Sequence, residues 1–486
     1  MKWNFNKPIM MILTVFCTVF CTLTSMGQKT IDIGNKREIF TDHYLIDKLD
    51  GVKIQMHHPR DEGPVLYFDK PWEGAFCGYF TLIKDGNLYR VYYRGVPIAG
   101  KDGNESELTC YAQSRDGIHW EKPNLGLYEI NGSYDNNVVL AHAAPATHNF
   151  SPFIDINPKA LPEERYKALG GLESSGLIAF VSPDGLRWKK KQEQAVLQGF
   201  LDSQNVAFWS ESEQCYLCYS RDWTKGWEKG SIRTICRTVS SDFVNWSPFV
   251  RMTFGDTPME QLYTNQTSPY FRAPHIYVSI GGRLFPDKQI LTEEQAKKLN
   301  VDPGYVADCS DAFFMTTRGG TEYTRMFLEA FIRPGIGLNN WVSRSNYPAL
   351  NVIQTGANEM SLYVQHDYAQ PTAHLRRYSM RLDGFTSLSA PYAGGEALTR
   401  FFTFSGKELE INYSTSAAGE LRFEIQDEKG KAIPGFTIDD SDMIVGNEIE
   451  RVVSWKGKSN LKDLASKTIR LRIYMKDADV YSLRFR

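Results

Sequence analysis

Apolar residues fall at every second position in short bursts along most of this chain. Five bursts, ELTCYAQS (107–114), SGLIAFVS (175–182), SIRTICRTVS (231–240), DAFFMTT (311–317) and HLRRYSMR (374–381), have the length and β-branched or aromatic content of strands. Each runs into a turn. SRDGIHW follows at 114–120, SPDGLRW at 182–188, SSDFVNW at 240–246, the weaker TRGGTEY at 317–323 and the more degraded RLDGFTS at 381–387. Asp-Gly is a tight hairpin pair, because Gly accepts positive φ and Asp bonds its own local backbone. The copies start 68, 58, 77 and 64 residues apart, too long for a solenoid unit and right for one four-stranded blade with generous loops. The aromatic three residues past the Gly position (Trp120, Trp188, Trp246, Tyr323) is suited to packing over the turn and between blades.

Counting strands back from each turn gives FCGYFTLI, LYRVYYRG and ELTCYAQS for a first blade. SPFIDIN, RYKALGG and SGLIAFVS form a second, and NVAFWS, CYLCYSR and SIRTICRTVS a third. TSPYFRA, HIYVSIGGR and DAFFMTT form a fourth; YPALNVIQT, EMSLYVQHD and HLRRYSMR form a fifth. One helix is expected, TEEQAKKLN from 292, where Thr292 and Gln295 are spaced as a capping box. From about 395 the strands ELEINYST, ELRFEIQD, IERVVSW and KTIRLRIYM suggest a small antiparallel β-sandwich, with no Pro/Gly/Ser-rich linker before it. The expected fold is all-β: a five-bladed β-propeller at 28–395 and a β-sandwich at 396–486.

Composition narrows the function. Aromatics at 13% and hydrophobics at 42% of 486 residues allow a large core, and a net charge of −2 gives no electrostatic footprint for nucleic acid. The first 27 residues read as a signal peptide: Lys2 and Lys7, a mostly apolar stretch from Ile9 to Leu23, then Ser25-Met26-Gly27. A secreted or periplasmic location follows, and no later segment is long and apolar enough to span a membrane. Export permits disulfides among Cys77, Cys110, Cys215, Cys218, Cys236 and Cys309, but the sequence chooses no pairing. Cys215 and Cys218 would point to opposite faces of a strand, so no metal and no cofactor is expected.

In a propeller the first strand of each blade lines the axis. The face holding its start also holds the end of the second strand, and the Asp-Gly turns lie on the other face. The axial face collects Trp72-Glu73-Gly74, His148-Asn149, Asp202-Ser203-Gln204-Asn205, Thr264-Asn265-Gln266 and Arg344. The second-strand ends add Arg94, Glu173, Arg221-Asp222, Arg283 and His366-Asp367. Carboxylates, amides, guanidinium groups and aromatics converging on one funnel suit a carbohydrate. Glycoside cleavage needs one carboxyl group to protonate the leaving oxygen and a second to activate water or attack the anomeric carbon. Glu73 and Asp202 are the first candidate catalytic pair, Glu173 and Asp222 the second. Trp72, Arg94, Asn205, Arg221, Gln266, Arg283 and His366 are candidate substrate contacts.

LDSQNVAFWS, TNQTSPYFRAPHIYV, SDAFFMTTRGG with LEAFIRPG, and TSAAGELRFEIQDEKGKAIPGF resemble exported bacterial proteins of the family-32-like group. The wider resemblance is to the five-bladed propeller glycosidases, glycoside hydrolase family 32 with families 43, 68 and 117. It implies a propeller followed by a sandwich and a hydrolase acting on a plant or algal glycan. The WMNDPNG, Arg-Asp-Pro and Glu-Cys strings of family 32 are absent; PWEGAF is the positional counterpart of the first, with Glu73 in place of its Asp. The alternatives are a non-catalytic carbohydrate-binding propeller and a propeller used for protein contacts or another chemistry such as a lyase.

Overall fold

The computed structural model describes residues 30–98 and 100–486. The expected signal peptide lies outside the described residues. Five small antiparallel sheets follow one another as blades. Blade I is built from Gly78–Asp85, Leu88–Gly95 and Leu108–Ser114, edged by Trp120–Glu121 and Val138–Leu140. Blade II contains Ser151–Ile154, Tyr166–Gly170, Ile178–Ser182 and Lys189–Lys190; blade III contains Val206–Ser210, Cys215–Trp227, Arg233–Ser240 and Val250–Arg251. Blade IV pairs Thr267–Tyr270, Ala273–Ser279 and Met315–Thr317, and carries a separate ribbon of Gly282–Phe285 with Cys309–Ala312. The single α-helix among the described residues, Glu293–Lys298, sits in this blade's insertion behind the Thr292–Gln295 capping box.

Blade V contains Ile353–Gln354, Glu359–His366 and His374–Arg381, and its outer strand comes from the start of the chain. Arg60–Tyr67 pairs with His374–Arg381 and closes the ring. Pro64 is tolerated there because this is an edge strand, and the register shifts beside it.

The second domain differs from the expected boundaries. Most of its strands form one connected eight-stranded sheet, a two-stranded parallel sheet of Ile31–Gly34 and Phe402–Phe404 shares the same core, and the domain begins before residue 396. Glu38–Ile39, Ile46–Asp50 and Lys53–Met56 belong to it, as do Thr386–Ala390 and Gly395–Thr399. Two long strands, Leu409–Gln426 and Arg470–Phe485, pair along most of their length, with register shifts between Asn412 and Tyr413 and between Thr415 and Glu420. Such bulges bend a strand. The sheet packs its alternate residues, among them Ile411, Phe423, Ile473 and Phe485, into one core around Trp455. Both ends of the described chain therefore lie in this domain, which is why no linker marks its border.

The first three repeated turns are built alike. Oδ1 of Asp116 accepts the amides of Ile118 (2.8 Å) and His119 (2.9 Å), and Ser114 Oγ accepts the amide of Gly117 at 2.9 Å. Asp184 and Ser182 do the same in blade II, Asp242 and Ser240 in blade III. Gly117 and Gly185 take φ of 75°, and Phe243 holds the same place at 67°. The aromatic at the end of the motif then packs on the preceding blade: Trp120 on Tyr363, Trp188 on Tyr92, Tyr323 on Tyr219. Asp184→Ala removes an acceptor shared by two backbone donors and should lower stability by about 1–2 kcal/mol in a urea melt, leaving ligand binding by the folded protein intact.

Blades I and II are clamped by Asp85. Its carboxylate accepts from Arg165 Nη1 at 3.1 Å, from the Tyr166 hydroxyl and from Arg90 at 3.3 Å. The Arg165 hydrogen bonds outweigh burial and hold its pKa at about 2, against an ordinary 3.8. A carboxyl depressed on folding stabilises fully above its unfolded pKa, and that contribution is lost as pH falls through the folded value. The melting temperature of the wild type should therefore drop between pH 3.8 and about 2, and Asp85→Asn, already less stable at neutral pH, should drop less over the same interval.

Candidate functional site

The floor of the axial channel is a hydrogen-bonded bridge. Gln204 Nε2 donates to Thr81 Oγ1 at 2.9 Å, while Gln266 Nε2 donates to Gln204 Oε1 at 2.7 Å and to the Pro348 carbonyl at 2.9 Å. Blades I, III, IV and V meet there. The free space is about 20 Å³, room for a water molecule but not for a sugar ring. Tyr79, Gln266 and Arg344 all line this channel and all hold left-handed backbone, with φ of 55°, 47° and 60°. Non-glycine residues in that region are strained, and such strain gathers at functional sites.

Asp202 stands at the mouth with 34% of its side chain exposed. Its Oδ2 is 3.3 Å from Arg221 Nη1, and its Oδ1 is 3.5 Å from His148 Nε2. Burial pushes this carboxyl up, but the contact with His148 and the charges of Arg221 and Arg344 outweigh it and hold Asp202 well below the usual carboxylate range. His148 is itself buried, with Nδ1 3.0 Å from both oxygens of Glu107. Arg94 closes the group: Nη1 lies over the imidazole, 3.1 Å from His148 Nδ1 and 3.2 Å from Nε2, Nη2 donates to the Phe76 carbonyl at 3.1 Å, and the guanidinium lies 4.9 Å from the Tyr79 ring centre. Glu173 sits beside Asp202, its Oε1 accepting the Asp202 amide at 3.1 Å.

Asp102, His148 and Asp202 offer three ligand atoms within 4.8 Å of one another, the set a divalent metal would use. Arg94 and Arg221 already contact two of those three groups, and their charges oppose a further cation.

Of the residues expected from sequence, Asp202, Glu173, Arg94, Arg221 and Gln266 meet at the funnel. The others do not. Glu73 is fully buried on the opposite face of blade I, where it accepts from the Tyr93 hydroxyl (2.5 Å), Lys122 Nζ (2.6 Å) and the Lys70 amide (3.0 Å). Tyr93 and Arg94 are consecutive strand residues, so they point to opposite faces, and Glu73 goes with Tyr93. Trp72 packs in that same cluster and donates to Asn137 Oδ1 at 2.8 Å. Asp222 points away from Arg221 and is held by Arg251 Nε at 2.6 Å. His366 is buried against Tyr378 and His374; burial, then His374, lowers its pKa to about 3, while its neighbour Gln365 faces the channel. Asn205 donates to the carbonyls of Leu201 and Ser203 within its own turn. Arg283 is engaged by Asp311 (2.8 and 2.7 Å) and Glu260 (2.9 Å). His148 and Arg344, both placed on the axial face by strand counting, prove central. Glu107, Tyr79 and Tyr263 carry no sequence signal: Glu107 precedes a third strand, and Tyr79 enters through a register shift between Gly78 and Thr81.

No family model matches the sequence, and no curated protein is similar to it. Solved structures with a similar shape include propeller glycoside hydrolases. One, described as a glycoside hydrolase, is 8% identical with a TM-score of 0.44 over 67% of this chain and 92% of its own. A family 43 arabinoxylan arabinofuranohydrolase from Bacillus subtilis is 10% identical with a TM-score of 0.40 over 86% of this chain and 96% of its own. An N-acetylgalactosamine deacetylase from F. plautii is 11% identical with a TM-score of 0.42 over 69% of this chain and 97% of its own. Reactions of different kinds occur among them, so the chemistry has to be read from side chains.

All six cysteines among the described residues are free thiols, five of them buried, and none pairs with another.

Proposed function

We propose that the protein is an exported glycoside hydrolase acting on a glycan at the funnel mouth. One observation carries this reading: Asp202 is a partly exposed carboxylate held ionised by His148, Arg221 and Arg344, with a second carboxylate, Glu173, accepting its backbone amide. An ionised carboxylate serves as nucleophile or as base toward water, and Glu173 is the candidate for delivering a proton to the leaving oxygen. Aromatic faces for sugar rings adjoin the arginines of the site, where the guanidinium of Arg233 lies 4.5 Å from the Trp223 ring centre. Phe200, Trp223 and Trp227 form a contiguous group, with centroids 5.3 Å apart for Phe200–Trp227 and 5.6 Å for Trp223–Trp227, and Trp227 is 72% exposed. Export rests on the leader-like first 27 residues.

A second reading, glycan binding without cleavage, is favoured by the pairing of Asp202 with Arg221. Incubating the purified protein with a panel of plant and algal glycans separates them. New reducing ends support hydrolysis. Retention on a glycan with no product over long incubation supports binding alone.

A further inference from the structure

One wall of the funnel gathers more positive charge than the chain compensates. The guanidinium carbons of Arg221, Arg233 and Arg344 lie 4.5, 5.3 and 5.4 Å from the centre of a single ring, Tyr263. Only Arg221 has a carboxylate, Asp202 at 3.3 Å; among the described residues, no carboxylate oxygen comes within 4.0 Å of Arg233 or Arg344. Arg221 is 4% exposed, and its Nε has no acceptor; the Nε of Arg233 has none either. Arg344 makes a single long hydrogen bond, to the Tyr305 hydroxyl at 3.4 Å, and is held between the Tyr263 and Tyr305 rings on strained backbone. Like charges packed this closely oppose one another: burial, then the charge of Arg221, lowers the pKa of Arg233.

We infer that Arg221, Arg233 and Arg344, gathered on Tyr263, are a binding site for the anionic substituent of a sugar ring, a carboxylate or a sulfate ester. Guanidinium forks match both groups bidentately, and unlike a lysine they keep their charge when desolvated. Arg221 spends Nη1 on Asp202 and Nη2 on the Tyr263 carbonyl at 3.1 Å, and Arg233 spends Nη1 on Gln261 Oε1 at 3.2 Å, so Arg344 and the remaining N–H groups of Arg233 are the donors left for a ligand, with Arg221 adding its charge. Because Arg221 touches Asp202, the charged ring sits against the carboxylate that would act on it. This deepens the glycan reading of the site and rests on it.

The test is calorimetric titration at physiological ionic strength with three probes: galacturonate oligosaccharides, carrageenan oligosaccharides and neutral arabino-oligosaccharides. The expected result is measurable affinity for one anionic probe and much weaker affinity for the neutral one; the carboxylate and sulfate arms identify which group is taken. Arg344→Gln and Arg233→Gln should each weaken binding of that probe by roughly tenfold or more, with unchanged melting temperature. Asp202→Asn, which removes a negative charge from the site, should bind the anionic probe at least as tightly as the wild type. Equal affinity for the neutral probe, no affinity for either anionic probe, or full affinity in both arginine variants overturns the inference. Tight binding of an anionic probe with no cleavage refutes the hydrolase reading alone. Cleavage of the neutral probe with no anion preference refutes only this inference.

Discussion

Asp383→Ala should be the most damaging single substitution outside the funnel, costing roughly 3–5 kcal/mol, the usual penalty for removing one member of a buried charge network. Asp383 is fully buried where the propeller meets the second domain. From the propeller, Tyr270 donates to its carboxylate at 2.8 Å and accepts its backbone amide at 2.8 Å, and Arg272 Nε lies 3.0 Å away. From the second domain, Ser482 donates at 2.6 Å and Asn412 at 3.1 Å, with Arg37 at 3.6 Å. Alanine leaves two guanidinium groups short of an anion and takes an acceptor away from three donors, Tyr270, Ser482 and Asn412. It also has to adopt φ of 63°, which Asp and Asn tolerate better. Asp383→Asn should therefore be milder than alanine, and both should lower the midpoint of urea unfolding for the two domains together. A loss below about 1 kcal/mol for alanine would mean the junction is not held by this network.

Asp202→Asn should cut turnover about 100-fold or more on whatever glycan is cleaved, since positioned proton transfer alone is worth that much. Binding should survive better than rate, because the lost charge matters most in the transition state. The same electrostatics fix a pH signature. His148, Arg221 and Arg344 keep Asp202 ionised far into acid, so this residue does not set the acid limb of the rate profile. If turnover falls on acidification, that limb belongs to another group, and it should persist in Asp202→Asn at its reduced rate.

Much of the architecture was legible because turn chemistry is local. Ser114, Asp116 and Gly117 satisfy one another within a few residues, and the same arrangement at Ser182 and Ser240 marks where each blade folds back. Strand counting from those turns then put Asp202, Arg94 and Arg221 at the funnel. At three other positions it failed by one residue. Asp222 was chosen beside Arg221, His366 beside Gln365, Asn205 beside Gln204. The cause is packing: blades are covered on both faces by their neighbours, so second strands such as LYRVYYRG and CYLCYSR are buried on both sides and lose the alternation that reveals parity. Polar residues at their ends then give no sign of which face they join. The closure by Arg60–Tyr67 was hidden for a different reason. Its pairing spans almost the whole propeller, and its exposed, Pro-containing sequence reads as a loop.

The most direct test sets a funnel carboxylate against one buried on the other face of blade I: Asp202→Asn and Glu73→Gln, each measured for melting temperature and for rate of sugar release. Glu73 is buried against Lys122 and Tyr93, whereas Asp202 faces solvent at the mouth. The account predicts that Glu73→Gln lowers the melting temperature while its folded fraction keeps near wild-type turnover, and that Asp202→Asn keeps its melting temperature and loses turnover. A stable Glu73→Gln that has lost turnover, together with a fully active Asp202→Asn, would contradict it.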